Sequence, residues 1–302
     1  MDLKSKIILI SGPTASGKTK FAVKLAKKIS GEIINSDSMQ VYRELKILTA
    51  RPKKLDQNKI KHHLFGFQSV KNNFSTGEWL KLTLLKIKEI KKRGKVPILV
   101  GGTGLYFKSI TDGLTKIPKI PTKLRNQIRK KQKNLGQKKF YNQLIKIDPL
   151  IKDWVNPNDV QRTIRAYEIK YYTKRSIINW FKKTRSIFSK DEFLKIYIDY
   201  PREELIKRIN KRIVAMLNQG AINEVKRFNK LNVKKDNSCT KVIGIKEISD
   251  YLKNLSNLDQ TKEIMAIKTR QYAKRQATWS RQQMANWQKI DPENLDSFIK
   301  KI

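Results

Sequence analysis

The chain of 302 residues has room for one large or two modest domains, and its 67 lysines and arginines against 26 aspartates and glutamates give a formal net charge of +41. That excess is far beyond what solubility requires and draws the molecule to polyanions, nucleic acid first, although an AT-rich coding bias toward Lys, Ile and Asn supplies part of it. A single cysteine, Cys239, excludes an internal disulfide and a zinc constellation, and no apolar run reaches membrane-spanning length, so a soluble protein of a reducing cytoplasm is expected.

The apolar run Ile7–Ile10 reads as a buried strand, too short for a signal peptide, and leads directly into GPTASGKT, Gly12 to Thr19. A helix-like segment, Phe21–Ala26, follows. Strand, glycine-rich loop and helix in that order make a phosphate cradle. Gly12 and Gly17 let the backbone of Gly12, Pro13, Thr14, Ala15, Ser16 and Gly17 curl inward, Lys18 supplies a point charge, and the Thr19 hydroxyl is placed to ligate Mg²⁺. Taken alone, the loop would be assigned to ATP.

A second strand, Glu32–Asn35, runs into IINSDSMQVYR, which puts Asp37 at the carboxyl edge of the sheet beside the phosphate loop. A carboxylate there can take a proton from a nucleophile; equally, it can cap a helix or hold Mg²⁺ through water. Helix periodicity over Trp79–Arg93 precedes a third strand, Val96–Val100, and the loop GGTGLY, Gly101 to Tyr106. A ligand loop built around Thr103 and a plain glycine turn fit this segment equally well. Alternating strands and helices predict an α/β fold, a P-loop-like parallel sheet flanked by helices, whose crevice lies beyond the carboxyl ends of its strands.

From about Ile117 to Lys190 the strand signal vanishes and the sequence becomes Lys/Arg/Gln-rich and helical, introduced by Pro118 and Pro121. The expected organisation is a core of residues 1–116 and 191–302 interrupted by a helical insertion, 117–190. A fourth strand, Phe193–Ile198, ends at Asp199, which suits either an acid for an NTPase or, preferably, a cap before the helix after Pro201. Helices are predicted over Arg202–Gly220, Asn223–Leu231 and Asp259–Trp287, with Val233–Ser238 as the nearest thing to a linker. Arg208 and Arg212 lie one turn apart. Met265, Tyr272 and Trp279 recur every seven residues and are expected in the core, flanked by Arg270, Lys274, Arg275 and Arg281. The only histidines, His62 and His63, have no ligand-spaced partners and predict no metal site.

The series GPTASGKT, INSDSMQVYR, TARP (Thr49–Pro52), HH, PILVGGTGLYF, NDVQRTIRAYEI and TRQYAKRQATWSR resembles the bacterial tRNA dimethylallyltransferases in order and spacing over essentially the whole chain. Departures are Leu48 where family members usually have Gly, the lack of a Thr-Gly pair after Glu168, and Ile245 at a usually aromatic position. The resemblance implies transfer of a dimethylallyl group from its diphosphate to the exocyclic amino group of the adenosine 3′ of the anticodon. Lys18, Thr19 and Mg²⁺ would then stabilise the departing diphosphate, with Thr103 and Arg212 acting from the opposite side, and Asp37 would take the amine proton. It further implies tRNA contacts from Asp37, Ser38, Met39, Gln40, Thr103 and Arg125, from Gln161, Arg162, Thr163, Ile164 and Arg165, from Lys241, Val242, Ile243, Gly244, Ile245 and Lys246, and from Lys274 and Arg275. The insertion would act as a clamp on the anticodon loop, and a monomer is expected. The alternatives are a small-molecule or nucleotide kinase, an isopentenyltransferase acting on free adenosine monophosphate, and a nonenzymatic RNA-binding protein.

Overall fold

A computed structural model describes residues 3–52 and 60–301. The described chain divides into two compact units, one of residues up to Thr111 together with Phe188 onward, the other spanning Asp112–Ile187.

In the first unit the strands β1 (Ile7–Ser11), β2 (Gly31–Asn35), β3 (His62–His63), β4 (Val96–Gly101), β5 (Phe193–Ile198) and β6 (Gln288–Ile290) form one parallel sheet ordered β3-β2-β4-β1-β5-β6. The strands predicted from continuous apolar runs are its centre, because a parallel strand is covered on both faces and needs no polar alternation. Along β1 the side chains part by the two-residue period: Ile7 and Leu9 join Trp79, Ile87 and Ile90 of α2 (Thr76–Lys92) and Phe107 of α3 (Gly104–Thr111). Ile8 and Ile10 face the other way, against Phe21, Ala22 and Leu25 of α1 (Lys18–Lys28). Ser75 starts α2 with a reciprocal cap, its Oγ accepting from Glu78 N at 3.2 Å while Ser75 N donates to Glu78 Oε2 at 2.8 Å. The edge strands β3 and β6 were not anticipated; two and three residues carry no periodicity to read.

The second unit is helical: α4 (Thr122–Ile147), broken at Gly136 by φ 72° and ψ 164°, α5 (Val160–Thr173) and α6 (Ile177–Lys182). Phe140, Tyr141, Leu144, Ile164 and Tyr167 centre its core. Glu168 is buried there and pairs with Arg125 at 3.3 Å and Arg165 at 3.2 Å.

The rest of the first unit adds α7 (Arg202–Asn218), α8 (Ala221–Asn229), α9 (Ile245–Leu252), α10 (Leu258–Gln283) and α11 (Leu295–Lys301). Helix α10 stops four residues short of Trp287 because the chain turns at Met284 and enters β6. Val233–Ser238 is no linker: Asn237 is buried in this unit, and its amide donates to Val70 O at 3.0 Å. Among the described residues no helix is long and apolar enough to cross a membrane.

Candidate active site

The loop after β1 winds so that Ser16 N donates to Pro13 O at 3.2 Å and Phe21 N to Gly17 O at 3.1 Å, closing the first turn of α1. Its left-handed residues are Gly17 (φ 85°) and Ala15 (φ 68°), not Gly12. For alanine that conformation costs energy and needs external support, which Arg208 of α7 gives by donating from Nε to Ala15 O at 2.7 Å. One turn on, Arg212 Nη1 donates to Thr14 Oγ1 at 3.2 Å. Lys18 folds back, its Nζ donating to Pro13 O at 3.0 Å. Burial pushes the Lys18 ammonium down to about 8; the Asp37 carboxylate acts against that fall and the Arg212 guanidinium adds to it.

Beyond β2 the backbone is held by hydrogen bonds to uncharged groups. Asn35 Oδ1 accepts from Asp37 N, and Asn35 Nδ2 donates to Asp37 O, both at 2.9 Å; Trp79 Nε1 donates to Asn35 O at 2.8 Å. Asp37 Oδ1 accepts from Met39 N at 2.9 Å. Thr103 Oγ1, at the end of β4, accepts from Ser38 N at 2.9 Å and donates to Ser38 Oγ at 3.2 Å. The Thr103 hydroxyl is thus committed to the Asp37 loop.

Both loops open on one cavity of about 730 Å³, lined by Thr14, Lys18, Thr19, Asp37, Gln40, Thr49, Arg51, Arg208 and Arg212. Among the described residues Asp37 is its only acidic lining residue. A neighbouring cavity of about 300 Å³ shares Thr14, Asp37, Thr49, Ala50, Arg212 and Met216 with it and adds Met39, Lys241, Val242, Ile243, Tyr272 and Arg275. Burial first, and then the Asp37 charge, push the Tyr272 phenol up. Tyr272 is therefore a half-buried wall of the cleft and not a core residue; Trp279, also half-buried, packs on the Gly101–Gly104 turn.

The structure separates several residues that the sequence reading grouped. Lys274 and Arg275 are about 100° apart around α10. Arg275 lines the smaller cleft, whereas Lys274 lines a third cavity of about 640 Å³ with Pro13, Asp199, Arg202 and Arg270. Asp199 is thus absent from the wall of the phosphate-loop cavity, which removes the residue that favoured a nucleoside triphosphatase. Gly244 and Ile245 are buried at the start of α9, and Lys246 points to Asp250 at 2.7 Å. In the helical unit Gln161 and Arg162 are exposed, but Thr163 and Ile164 are buried, with Thr163 Oγ1 donating to Asp159 O at 2.7 Å. A helix cannot present five consecutive residues to one ligand, so Thr163, Ile164, Gly244 and Ile245 are corrected from RNA contacts to packing.

Glu224 was missed because no local pattern marks it: its carboxylate accepts from the N–H groups of Lys46 and Ile47 at 2.8 Å and of Leu48 at 3.0 Å, fixing the turn before TARP. His63 is also explained, its Nε2 lying 2.7 Å from Glu32, which pairs with Arg93 at 2.6 Å. No cluster of three or more potential metal-binding His, Cys, Asp or Glu occurs among the described residues.

Residues 40–283 match the family model described as IPP transferase. The chain belongs to the IPP transferase family. It is 61% identical over all of its length to the tRNA dimethylallyltransferase of Pelagibacter ubique (strain HTCC1062), covering 96% of that protein. It is 41% identical over 99% of its length to the tRNA dimethylallyltransferase of Rickettsia massiliae (strain Mtu5), covering 83% of it. Among solved structures, the tRNA delta(2)-isopentenylpyrophosphate transferase of Staphylococcus epidermidis superimposes with a TM-score of 0.69 at 33% identity, over 98% of this chain and 96% of that one. A eukaryotic dimethylallyltransferase acting on tRNA gives a TM-score of 0.82 at 30% identity, over 95% of this chain and 74% of that one. The IPP transferase family thus accounts for the P-loop-like parallel sheet.

Proposed function

We propose that this enzyme transfers a dimethylallyl group from dimethylallyl diphosphate to the exocyclic amine of the adenosine 3′-adjacent to the tRNA anticodon. The observation that carries the reading is the composition of one cavity: Lys18, Arg208 and Arg212 along one wall and, among the described residues, a single carboxylate, Asp37, on the other. In the reaction the allylic C–O bond breaks, diphosphate leaves with the electron pair, the C–N bond forms, and the amine proton passes to Asp37. An allylic carbon tolerates positive charge, so stabilising the leaving group is the larger task. Lys18 and Arg212 perform it, and their partial desolvation strengthens their pull on a polyanionic group. The aromatic amine is a weak nucleophile and has to be held in line, which the Asn35–Asp37–Met39 and Ser38–Thr103 hydrogen bonds do for the base that receives it. Thr103 is assigned to that support in place of a diphosphate contact.

The donors fit Mg²⁺. Thr19 lines the cavity, and with one carboxylate nearby the ion would take its remaining oxygens from the diphosphate and water. When bound, it would neutralise charge on the departing oxygens.

The adenosine must leave the anticodon-loop stack to reach Asp37, and Met39, Ile243 and Tyr272 give the smaller cleft apolar and aromatic surface for a base. The exposed Gln161, Arg162 and basic α4 of the helical unit are assigned to the tRNA backbone. The test is transfer of labelled dimethylallyl groups to undermodified tRNA beside free adenosine monophosphate. Label on tRNA alone is expected; label on the mononucleotide alone would overturn the acceptor assignment.

A further inference from the structure

The Gln276 side chain joins the two catalytic loops directly. From the C-terminal third of α10 its Oε1 accepts from Thr14 N at 2.8 Å, and its Nε2 donates to Gly102 O at 2.9 Å. The orientation of the amide is dictated by its partners, since Thr14 N can only donate and Gly102 O can only accept. The first contact is unusual for a phosphate cradle, where backbone N–H groups serve the anion. Here one of them is diverted to a protein side chain.

Each partner is bonded onward toward the chemistry. Thr14 Oγ1 takes the Arg212 guanidinium at 3.2 Å, on the wall that receives the diphosphate. Gly102 precedes Thr103, whose hydroxyl holds Ser38 N at 2.9 Å, the residue after Asp37. The sequence Arg212, Thr14, Gln276, Gly102, Thr103, Ser38 therefore runs without a gap from the leaving-group grip to the acceptor base. Packing fixes it as well. A Cβ on Gly102 would collide with Gln276 Nε2, and a Cβ on Gly104 would fall inside the Trp279 indole, which lies one turn further along α10. The two glycines are the socket into which Gln276 and Trp279 fit.

We propose that Gln276 is the positioning residue that sets the distance between the diphosphate site and Asp37. The inference rests on the prenyl-transfer reading. Its signature is a loss in kcat with little change in either substrate's affinity. Replacing Gln276 by Met keeps the size and removes both hydrogen bonds, and kcat should fall about 100-fold, the usual cost of an ångström-scale misplacement. The dissociation constants for inorganic pyrophosphate and tRNA should stay within about threefold.

Gln276→Glu separates alignment from mere folding. Ionised, its carboxylate still accepts from Thr14 N but turns a lone pair toward Gly102 O; protonated, it accepts and donates as the amide does. Its kcat relative to wild type should therefore recover as pH falls, and a residue that only stabilised the fold would show no such rescue in protein verified as folded by circular dichroism. Wild-type kcat in folded Gln276→Met, or a loss confined to KM, would overturn the proposal. Absence of transfer to tRNA by the wild type would instead remove the functional reading beneath it.

Discussion

The two walls of the cleft are built by different physics. The leaving-group wall is made of charge: Lys18, Arg208 and Arg212 crowd around a loop whose ammonium is held at about 8 and whose Arg212 guanidinium is also pushed below its ordinary range by burial and by Arg208. The acceptor wall is made of geometry: Asn35 holds the Asp37 main chain, Thr103 holds Ser38, and Met39 N bonds the Asp37 carboxylate, all of them uncharged groups. Charge without a partner is unstable in an empty site and waits for an anion, whereas a hydrogen-bonded frame is complete before substrate arrives. Perturbing the first should change affinity and pH response; perturbing the second should change kcat.

The largest expected effect is on the acceptor wall. Asp37→Ala should lower kcat about 10³-fold, within the usual worth of a general base, while filter binding finds tRNA affinity within about threefold of wild type. Unchanged single-turnover rates would remove Asp37 from the base role. Arg212→Ala comes next: loss of a charge that acts on the developing diphosphate should cost about 100-fold in kcat/KM and weaken pyrophosphate binding, and Arg212→Lys should not restore it because one ammonium cannot hold Thr14 and reach the anion together.

The Lys18 charge gives a third effect, smaller and dependent on pH. The diphosphate binds the protonated amine, and at pH 8 and above the diphosphate is itself fully ionised, so its affinity should fall roughly tenfold per pH unit above about 8. Isothermal titration at pH 8.5 in buffers of different ionisation enthalpy should detect proton uptake on binding, and Lys18→Arg should flatten the profile. The stability of the empty enzyme moves the other way. Between about 8 and the ordinary 10.5 the unfolded chain holds the Lys18 proton that the folded one lacks, so this group's contribution rises with pH there. The smallest effect is that of Thr103→Val, which leaves Ser38 N without its acceptor: about tenfold in kcat, rescued by Thr103→Ser, with pyrophosphate affinity unmoved. A change in that affinity would place Thr103 back on the diphosphate side and erase the distinction between the walls.

Much of this arrangement was readable before the fold was known. Ile7–Ile10, Glu32–Asn35, Val96–Val100 and Phe193–Ile198 were legible because a strand buried on both faces is written as a continuous apolar run, and each ends where the sheet's crevice begins. Asp37 followed from its place two residues past β2. What stayed hidden depends on contacts between distant segments. Gln276 meets Thr14 across 262 positions and Glu224 meets Lys46 across 178, and nothing local marks either residue as a partner. The seven-residue stripe placed Trp279 against the core as expected, but Tyr272 is a cleft wall, and periodicity does not tell the two apart. For the same reason the run Gln161–Arg165 could not be divided into exposed and buried residues without the helix that carries it.

Glu32, Glu168, Glu224 and Glu247 are all buried, and each accepts hydrogen bonds or pairs with a cation: His63 and Arg93, Arg125 and Arg165, three consecutive main-chain amides, and Lys268. In a chain so rich in lysine these four carboxylates are structural anchors. Base-composition pressure can rewrite exposed side chains at little cost, but an acid lost at 224 would leave three main-chain amides without their acceptor.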